Sequence, residues 1–303
     1  MNLEFETRSC PLCCSKAERR VVVESNIDPT KLTEFAFASR KYPEYMHPRM
    51  VECAGCGLLY GNPVLSHLTV DEAYQEAAFD SVQESIFASQ TYAKLVAAQL
   101  KSLGRCDSAL DIGAGDGSFV EQMISLGFRR VIGVEPSAAP IAVSKSEIRK
   151  LIRHDIFRSR DFVGEQFDLV TCFQVMEHLW EPRQLVLDVI SVLRPGGLFV
   201  TVTHNVNAFS AKMLGTKSPI FDIEHLQLFS KKTLAALLWN SGFIGVHVLP
   251  VWNRYPMHYW LKLAPLPEGM KRNLVEMSRD GKLRKIACSI PAGNIAAIAW
   301  KSG

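Results

Sequence analysis

No apolar stretch of this 303-residue chain approaches the roughly 20 residues that cross a bilayer, and the opening MNLEFETRSC lacks a basic segment followed by an apolar one. No membrane partner is expected, and a soluble, cytoplasmic protein is. Neither sign of charge is in excess, with 34 basic residues against 31 acidic ones. A strong polyanion-binding field is therefore missing, and net charge does not favour nucleic acid as a partner. Nor is this a short, disulfide-dense secreted chain, because its eight cysteines are spread over a long sequence without a signal-peptide pattern. What is present is 48% hydrophobic residues, enough for sizeable cores, over a length that suits about two domains.

The cysteines are spaced informatively. Cys10 and Cys13 form one CxxC, and Cys53 and Cys56 form a second, followed by Gly57. Two such knuckles can supply four thiolates in a tetrahedron for structural zinc. Cys14 makes the first knuckle ambiguous. A redox CxxC sits at a helix start in a βαβ setting, which neither pair does. Four unrelated buried cysteines are the alternative. Residues 1–63 are read as a small zinc-binding module, with Phe35, Phe37, Tyr42 and Tyr45 between the knuckles and a metal supplying much of its stability. Cys106, Cys172 and Cys288 stand alone and read as small buried residues.

The stretch Ala109–Gly117, ALDIGAGDG, organises the remainder. A strand-like run ends in Gly113, Gly115 and Gly117, and an apolar helical pattern (Phe119, Val120, Met123, Ile124, Leu126) follows. Glycines suit a turn whose backbone angles a Cβ would oppose and which a ligand approaches closely. A dinucleotide fingerprint would carry a third glycine where Ser118 stands, and pyrophosphate would be repelled by Asp111 and Asp116. Carboxylates instead suit a ligand bearing an amino group and a sulfonium, the charges that S-adenosylmethionine presents. A second apolar run, Arg130–Val134, ends in Glu135, 24 residues after Asp111, where an acid can take both ribose hydroxyls; the interval fits one βαβ step.

Periodicity predicts helices within 69–103, then strands at 108–112, 130–134, 150–154, 167–172 and 197–203, alternating with helices at about 117–126, 137–146 and 182–193. Lys231–Ser241 reads as a further helix, Gly245–Val251 as strand six and Asn294–Lys301 as the last strand. The expected domains are 1–63, a helical linker and cofactor cover at 64–104, and an α/β domain at 105–303. Within that domain, the 253–293 insert is too long for a hairpin and is read as a substrate cover or homodimer contact. Tyr74 and Tyr92 on the linker helices are candidate cofactor contacts, with simple burial of an amphipathic face as the alternative.

Three further segments complete a pattern: FQVMEH from Phe173, RPGGLF from Arg194 and FDIEHLQLFS from Phe221. With DIGAGDG and Glu135 they resemble the class I S-adenosylmethionine-dependent methyltransferases. The two knuckles and the exit GLLYGNPV resemble the N-terminal cysteine module of many bacterial methyltransferases of sugar, polysaccharide and natural-product pathways. The resemblance implies an α/β, Rossmann-like seven-stranded class I sheet with a small N-terminal zinc-binding module. It implies S-adenosyl-L-methionine held by Asp111, Gly113, Ala114, Gly115, Glu135, Pro136, Asp155, Ile156, Phe173 and Gln174, and structural zinc held by Cys10, Cys13, Cys53 and Cys56. Asp155 would accept from the adenine amino group, with capping of the next turn as its alternative, while Ile156 packs on the ring. Phe173 and Gln174 would line the methionine side.

Glu177 and His178 would face the methyl group's destination, and the loop of Glu224 and His225 would fold over the acceptor. A histidine with an ordinary pKa near 6.5 suits general-base work, so His178, His225 and Glu177 are the candidate catalytic groups. Some O-methyltransferases bind magnesium through ExxEH at this position, but here Gln174 replaces the first glutamate, and an amide is a poorer ligand for a hard cation. The sugar C-methyltransferases with the same module carry a large C-terminal domain that this chain lacks, which argues against C-methylation. The reading is methyl transfer to a small-molecule acceptor, a sugar, saccharide or natural-product intermediate. A binding protein for nucleic acid or a protein partner with a vestigial cofactor site, and a nicotinamide oxidoreductase, are the competing readings.

Overall fold

A computed structural model of the chain describes residues 4–31, 37, 45–76, 78–79, 81–264, 269–270, 273–274 and 287–303. Phe35 and Tyr42, the side chain of Tyr74 and much of the 253–293 insert therefore lie outside the described residues.

The cysteine-bearing segment contributes five short strands, β1 (Phe5–Glu6), β2 (Glu18–Val23), β3 (Met50–Cys53), β4 (Leu59–Gly61) and β5 (Val64–Leu65). β3 runs antiparallel between β2 and β4, and β1 pairs with β5. Three helices follow, α1 (His67–Glu76), α2 (Val82–Ala97) and α3 (Leu100–Leu103). On α2 the buried residues Ser85, Ala88, Ser89, Tyr92 and Val96 recur at helical spacing, so one face packs inward.

Short apolar runs then alternate with helices: β6 (Ser108–Ile112), α4 (Ser118–Ser125), β7 (Arg130–Glu135), α5 (Ala138–Val143), α6 (Ser146–Arg149), β8 (Ile152–His154), β9 (Phe167–Phe173), α7 (Pro182–Val192) and β10 (Leu193–His204). The expected helix at 137–146 is two pieces. Ser144 is extended, and its hydroxyl donates to the carbonyl of Asp116 at 2.8 Å, tying the break to the glycine turn. The strand expected from 197 begins at Leu193, with an irregular register before Leu198 where the Pro195–Gly197 turn intervenes. After β10 come α8 (Phe209–Leu214), β11 (Gln227–Leu228), α9 (Lys231–Asn240), β12 (Phe243–Pro250), β13 (Asn253–Pro256), α10 (Met257–Leu263), β14 (Ala287–Ile290) and β15 (Asn294–Lys301). α9 starts on a capping box, in which Ser230 accepts from the amide of Thr233 and Thr233 accepts from that of Ser230.

The large sheet has the order β12-β15-β10-β9-β6-β7-β8. Its central strands are parallel, with Leu110 of β6 opposite Ile132 of β7 and Val170 of β9, and β15 runs antiparallel between β10 and β12. This is the Rossmann-like class I methyltransferase sheet expected above. Central strands covered on both faces are mostly apolar, and β6 is buried at all five positions, its polar Ser108 and Asp111 included. The chain leaves β6 toward β7 on one side and crosses to β9 on the other, so a crevice opens beyond the carboxyl end of β6.

The smaller sheet, β11-β4-β3-β2, takes its fourth strand from residues just beyond Glu224 and His225. Cys10, Cys53, Leu58 and Tyr60 share a core with Leu110, Val170 and Phe199 of the large sheet. In the insert, β13 pairs with β14, and Tyr255, Tyr259 and Trp260 pack together with ring centroids 4.4 to 6.1 Å apart. Among the described residues no helix is long and apolar enough to cross a membrane.

Candidate active site

The crevice opens into a cavity of about 920 Å³. At one end is the glycine turn. Gly113 has φ +75°, and a Cβ there would meet Val175 Cγ2 at 2.3 Å, so a side chain at this position strains the backbone and displaces Val175. The amides of Gly113 and Ala114 both donate to the carbonyl of Val134, which clamps the turn to β7. Glu135 is buried, with Oε2 accepting from the Gly115 amide at 2.8 Å and Oε1 from the Ser137 amide at 2.9 Å. Its carboxylate is thus oriented at the strand end. Burial raises its pKa, opposed by these two bonds.

Asp111 is 2% exposed and accepts a 2.6 Å bond from the Thr171 hydroxyl. Burial is the main cause that pushes its pKa up to about 8, with the nearby Glu135 charge adding to it. Asp116, by contrast, is spent on the fold. It accepts from the Ser118 amide and from the Ser85 hydroxyl, so it ties α2 to the turn. Pro136 and Ile156 line the cavity. Asp155 is exposed; its Oδ1 takes the Ile156 amide and the Arg158 guanidinium, which hold its carboxyl below the usual range. It caps the turn, and the cavity wall there is Ile156, Phe157 and Arg158.

At the end of β9, Phe173 stands between Tyr92 (centroids 4.5 Å apart) and Phe119 (4.7 Å). Gln174 is one of three non-glycine residues with positive φ among the described residues, at +57°. Strained backbone of this kind concentrates at functional sites. Its side-chain Nε2 is buried without a hydrogen-bond partner, and the residue lines the cavity. Such a donor is costly unless a ligand accepts from it.

The other end of the cavity gathers histidines. His178 Nδ1 lies 3.1 Å from the Glu224 carbonyl, and His225 Nδ1 lies 2.8 Å from the Ile220 carbonyl. A carbonyl only accepts, so in the neutral rings these Nδ1 atoms carry the protons and each Nε2 carries the basic lone pair. The two rings are 4.9 Å apart. His178, Glu224 and His225 also present donor atoms within 4.8 Å of one another, a spacing that could hold a metal ion.

Glu177 departs from expectation. It is fully buried and does not line the cavity, because its peptide turns inward, where its carbonyl accepts from the amides of Leu226 and Gln227. Neither carboxylate oxygen has a hydrogen-bond partner, burial raises its pKa, and the closest ionisable atom among its ion-pair contacts is His204 Nε2 at 3.8 Å.

Cys10, Cys13, Cys53 and Cys56 converge at a second place, with sulfur atoms within 4.8 Å of one another. Cys10 Sγ is 3.6 Å from Cys56 Sγ, and Cys13 Sγ is 3.5 Å from Cys53 Sγ. Four sulfurs at the usual zinc–sulfur distance are about 3.8 Å apart, so this donor set fits a tetrahedral zinc ion. Cys14 is exposed and outside the group.

Residues 83–248, more than half of the chain, match the family described as "Methyltransferase domain". The chain belongs to the methyltransferase domain family. A relative from Mycolicibacterium smegmatis, named a probable S-adenosylmethionine-dependent methyltransferase, is 33% identical over 135 residues, covering 44% of this chain and 51% of that one. A ubiquinone biosynthesis O-methyltransferase of Methylobacterium sp. is 31% identical over 115 residues, covering 36% and 46%. The chain therefore spans about half the length of these relatives. Among solved structures, the YcgJ protein of Bacillus subtilis aligns over 71% of this chain and 99% of its own, with a TM-score of 0.48 and 17% identity.

Three groups that line this cavity carry no motif that marks them as site residues. His204, the last residue of β10, lines the cavity with its ring 4.8 Å from that of His225. Burial, with the nearby His178, lowers its pKa to about 4, so it stays neutral; its Nδ1 is 3.0 Å from Asn294 Oδ1. Asp222 and Asn294 line the same wall. His204 was within reach of the rule that strand ends carry function, since it closes β10 as Glu135 closes β7. Asn294 enters from the far end of the sequence and carries no motif.

Proposed function

We propose that this protein transfers a methyl group from S-adenosyl-L-methionine to a small-molecule acceptor, a sugar, saccharide or natural-product intermediate, with His225 or His178 as general base. Structural zinc on Cys10, Cys13, Cys53 and Cys56 belongs to the same reading. The observation that carries it is a single cavity bounded by Asp111 and Glu135 at one end and by His178, His204 and His225 at the other. Asp111 is a buried carboxylate whose bonding partner is a hydroxyl and not a cation, which suits a cationic amino-acid group, and Gln174 holds an unspent donor in the same cavity. When bound, S-adenosyl-L-methionine supplies the electrophilic methyl group.

The chain's own groups then have separable tasks. Glu135, fixed by two amides, receives ribose hydroxyls. Phe173 and Gln174 line the cavity where they would orient the donor, and orientation supplies much of the acceleration in methyl transfer. Tyr255, Tyr259 and Trp260 give the cavity an aromatic wall. His225, its Nδ1–H spent on the Ile220 carbonyl, takes the acceptor's proton at Nε2, and His178 is held for the same task by Glu224.

The test pairs His178→Ala with His225→Ala in an acceptor screen that follows homocysteine release. At least one variant loses turnover by about 100-fold or more, while calorimetry shows S-adenosylhomocysteine binding within about threefold of the parent. Full activity in both variants overturns the assignment.

A further inference from the structure

Both Glu-His segments are fastened to one guanidinium from the opposite end of the chain. Arg8 donates through Nη1 to the Trp180 carbonyl at 3.2 Å, through Nη2 to the Leu226 carbonyl at 2.6 Å and to Gln227 Oε1 at 3.0 Å, and through Nε to the Gly61 carbonyl at 3.3 Å. Its cation also lies 5.1 Å from the Trp180 ring centroid and 5.8 Å from that of Tyr60. Gln227, fully buried, completes the tie. Its Nε2 donates to the carbonyls of Met176 at 2.6 Å and Leu179 at 2.9 Å. The amides of Leu226 and Gln227 both donate to the Glu177 carbonyl, and the Gly61 amide donates to the Leu226 carbonyl.

Every one of these bonds joins the segment carrying His178, the segment carrying His225, or strand β4 of the cysteine-bearing sheet. Neither Arg8 nor Gln227 lines the cavity. We propose that Arg8 and Gln227 are positioning residues that hold His178 and His225 at their separation by locking both segments to the cysteine-bearing sheet. The inference rests on the proposed function only in treating those two histidines as the acting groups. The chemistry explains the residue types. A guanidinium is planar and can serve several carbonyls at once, which a lysine ammonium on a flexible stem does less rigidly. A glutamine offers one acceptor to Arg8 and two donors to the carbonyls, whereas a glutamate offers none of the latter. Strand β11 begins two residues after His225, so the histidine loop and the metal-ligand sheet move as one body.

The experiment uses the full chain with 15N-labelled histidine rings, comparing the parent with Arg8→Met and Gln227→Glu. In both variants the ring signals of His178 and His225 shift from the fixed Nδ1–H form toward averaged tautomers, while that of His204, held by Asn294, is unchanged. Amide exchange at Leu226 and Gln227 accelerates at least tenfold, with no change at residues 113–117, and S-adenosylhomocysteine affinity by calorimetry stays within about threefold. Unmoved histidine signals, or a loss of protection spread equally over the glycine turn, overturn the proposal; the second would mark the two residues as general stabilisers. If Arg8→Met fails to fold, Gln227→Glu, which retains the acceptor for Arg8, decides alone. Should the parent chain not bind S-adenosylhomocysteine at all, the proposed function falls, yet the ring and exchange readouts still judge the clamp.

Discussion

Asp111 makes cofactor affinity depend on pH in a calculable way. Its carboxyl is 2% exposed and has a pKa near 8, so the empty protein carries it mostly protonated at neutral pH. A cationic amino-acid moiety beside it favours the ionised form, so binding expels a proton below pH 8. If only the ionised form binds, affinity for S-adenosylhomocysteine rises about 25-fold between pH 6 and 7.5, and about 0.9 proton leaves per ligand at pH 7. Calorimetry in buffers of different ionisation enthalpy reads both quantities. Asp111→Asn flattens the pH dependence and abolishes the proton release.

The same shift fixes a stability trend, because the folded pKa lies above the unfolded value near 3.9. Asp111's own contribution to the stability of the empty protein is complete below about pH 4 and falls by up to about 1.4 kcal/mol per unit as pH rises toward 8. In Asp111→Asn that part of the slope disappears, while the parts from the buried Glu135 and Glu177 remain. A parent affinity that is flat over this range, with fewer than about 0.2 protons released, would refute the reasoning.

Two further predictions follow from geometry. Gly113→Ala incurs about 1 to 2 kcal/mol for left-handed backbone plus about 1 to 3 kcal/mol for a Cβ 2.3 Å from Val175, whereas Gly115→Ala, with open space around it, incurs only the first. Chemical denaturation should therefore rank Gly113→Ala well below Gly115→Ala, and equal losses would remove the steric argument. Protein purified without added metal should hold about one zinc per chain, and a Cys53→Ala, Cys56→Ala double variant none, by elemental analysis. An equal zinc content in the two would dismiss the cysteine site.

The sequence determined what is local. Strand runs, the glycine turn, the acid at the end of β7 and the paired CxxC knuckles were legible because each depends on backbone angles, side-chain period or spacing within one short segment. Even there, one tertiary bond intervened: Ser144 left the helix to reach Asp116. Which residues face the cavity was decided by tertiary structure. Glu177 and His178 are neighbours in sequence, yet one is sealed in the core and the other lines the cavity, because the peptide between β9 and α7 is pinned by Leu226 and Gln227. His204 meets Asn294 across 90 residues, and Arg8 meets Gln227 across 219. No period or motif encodes such pairs. They form when the sheet order brings strand ends together, and the cost of leaving buried donors and acceptors unpaired then selects the partners.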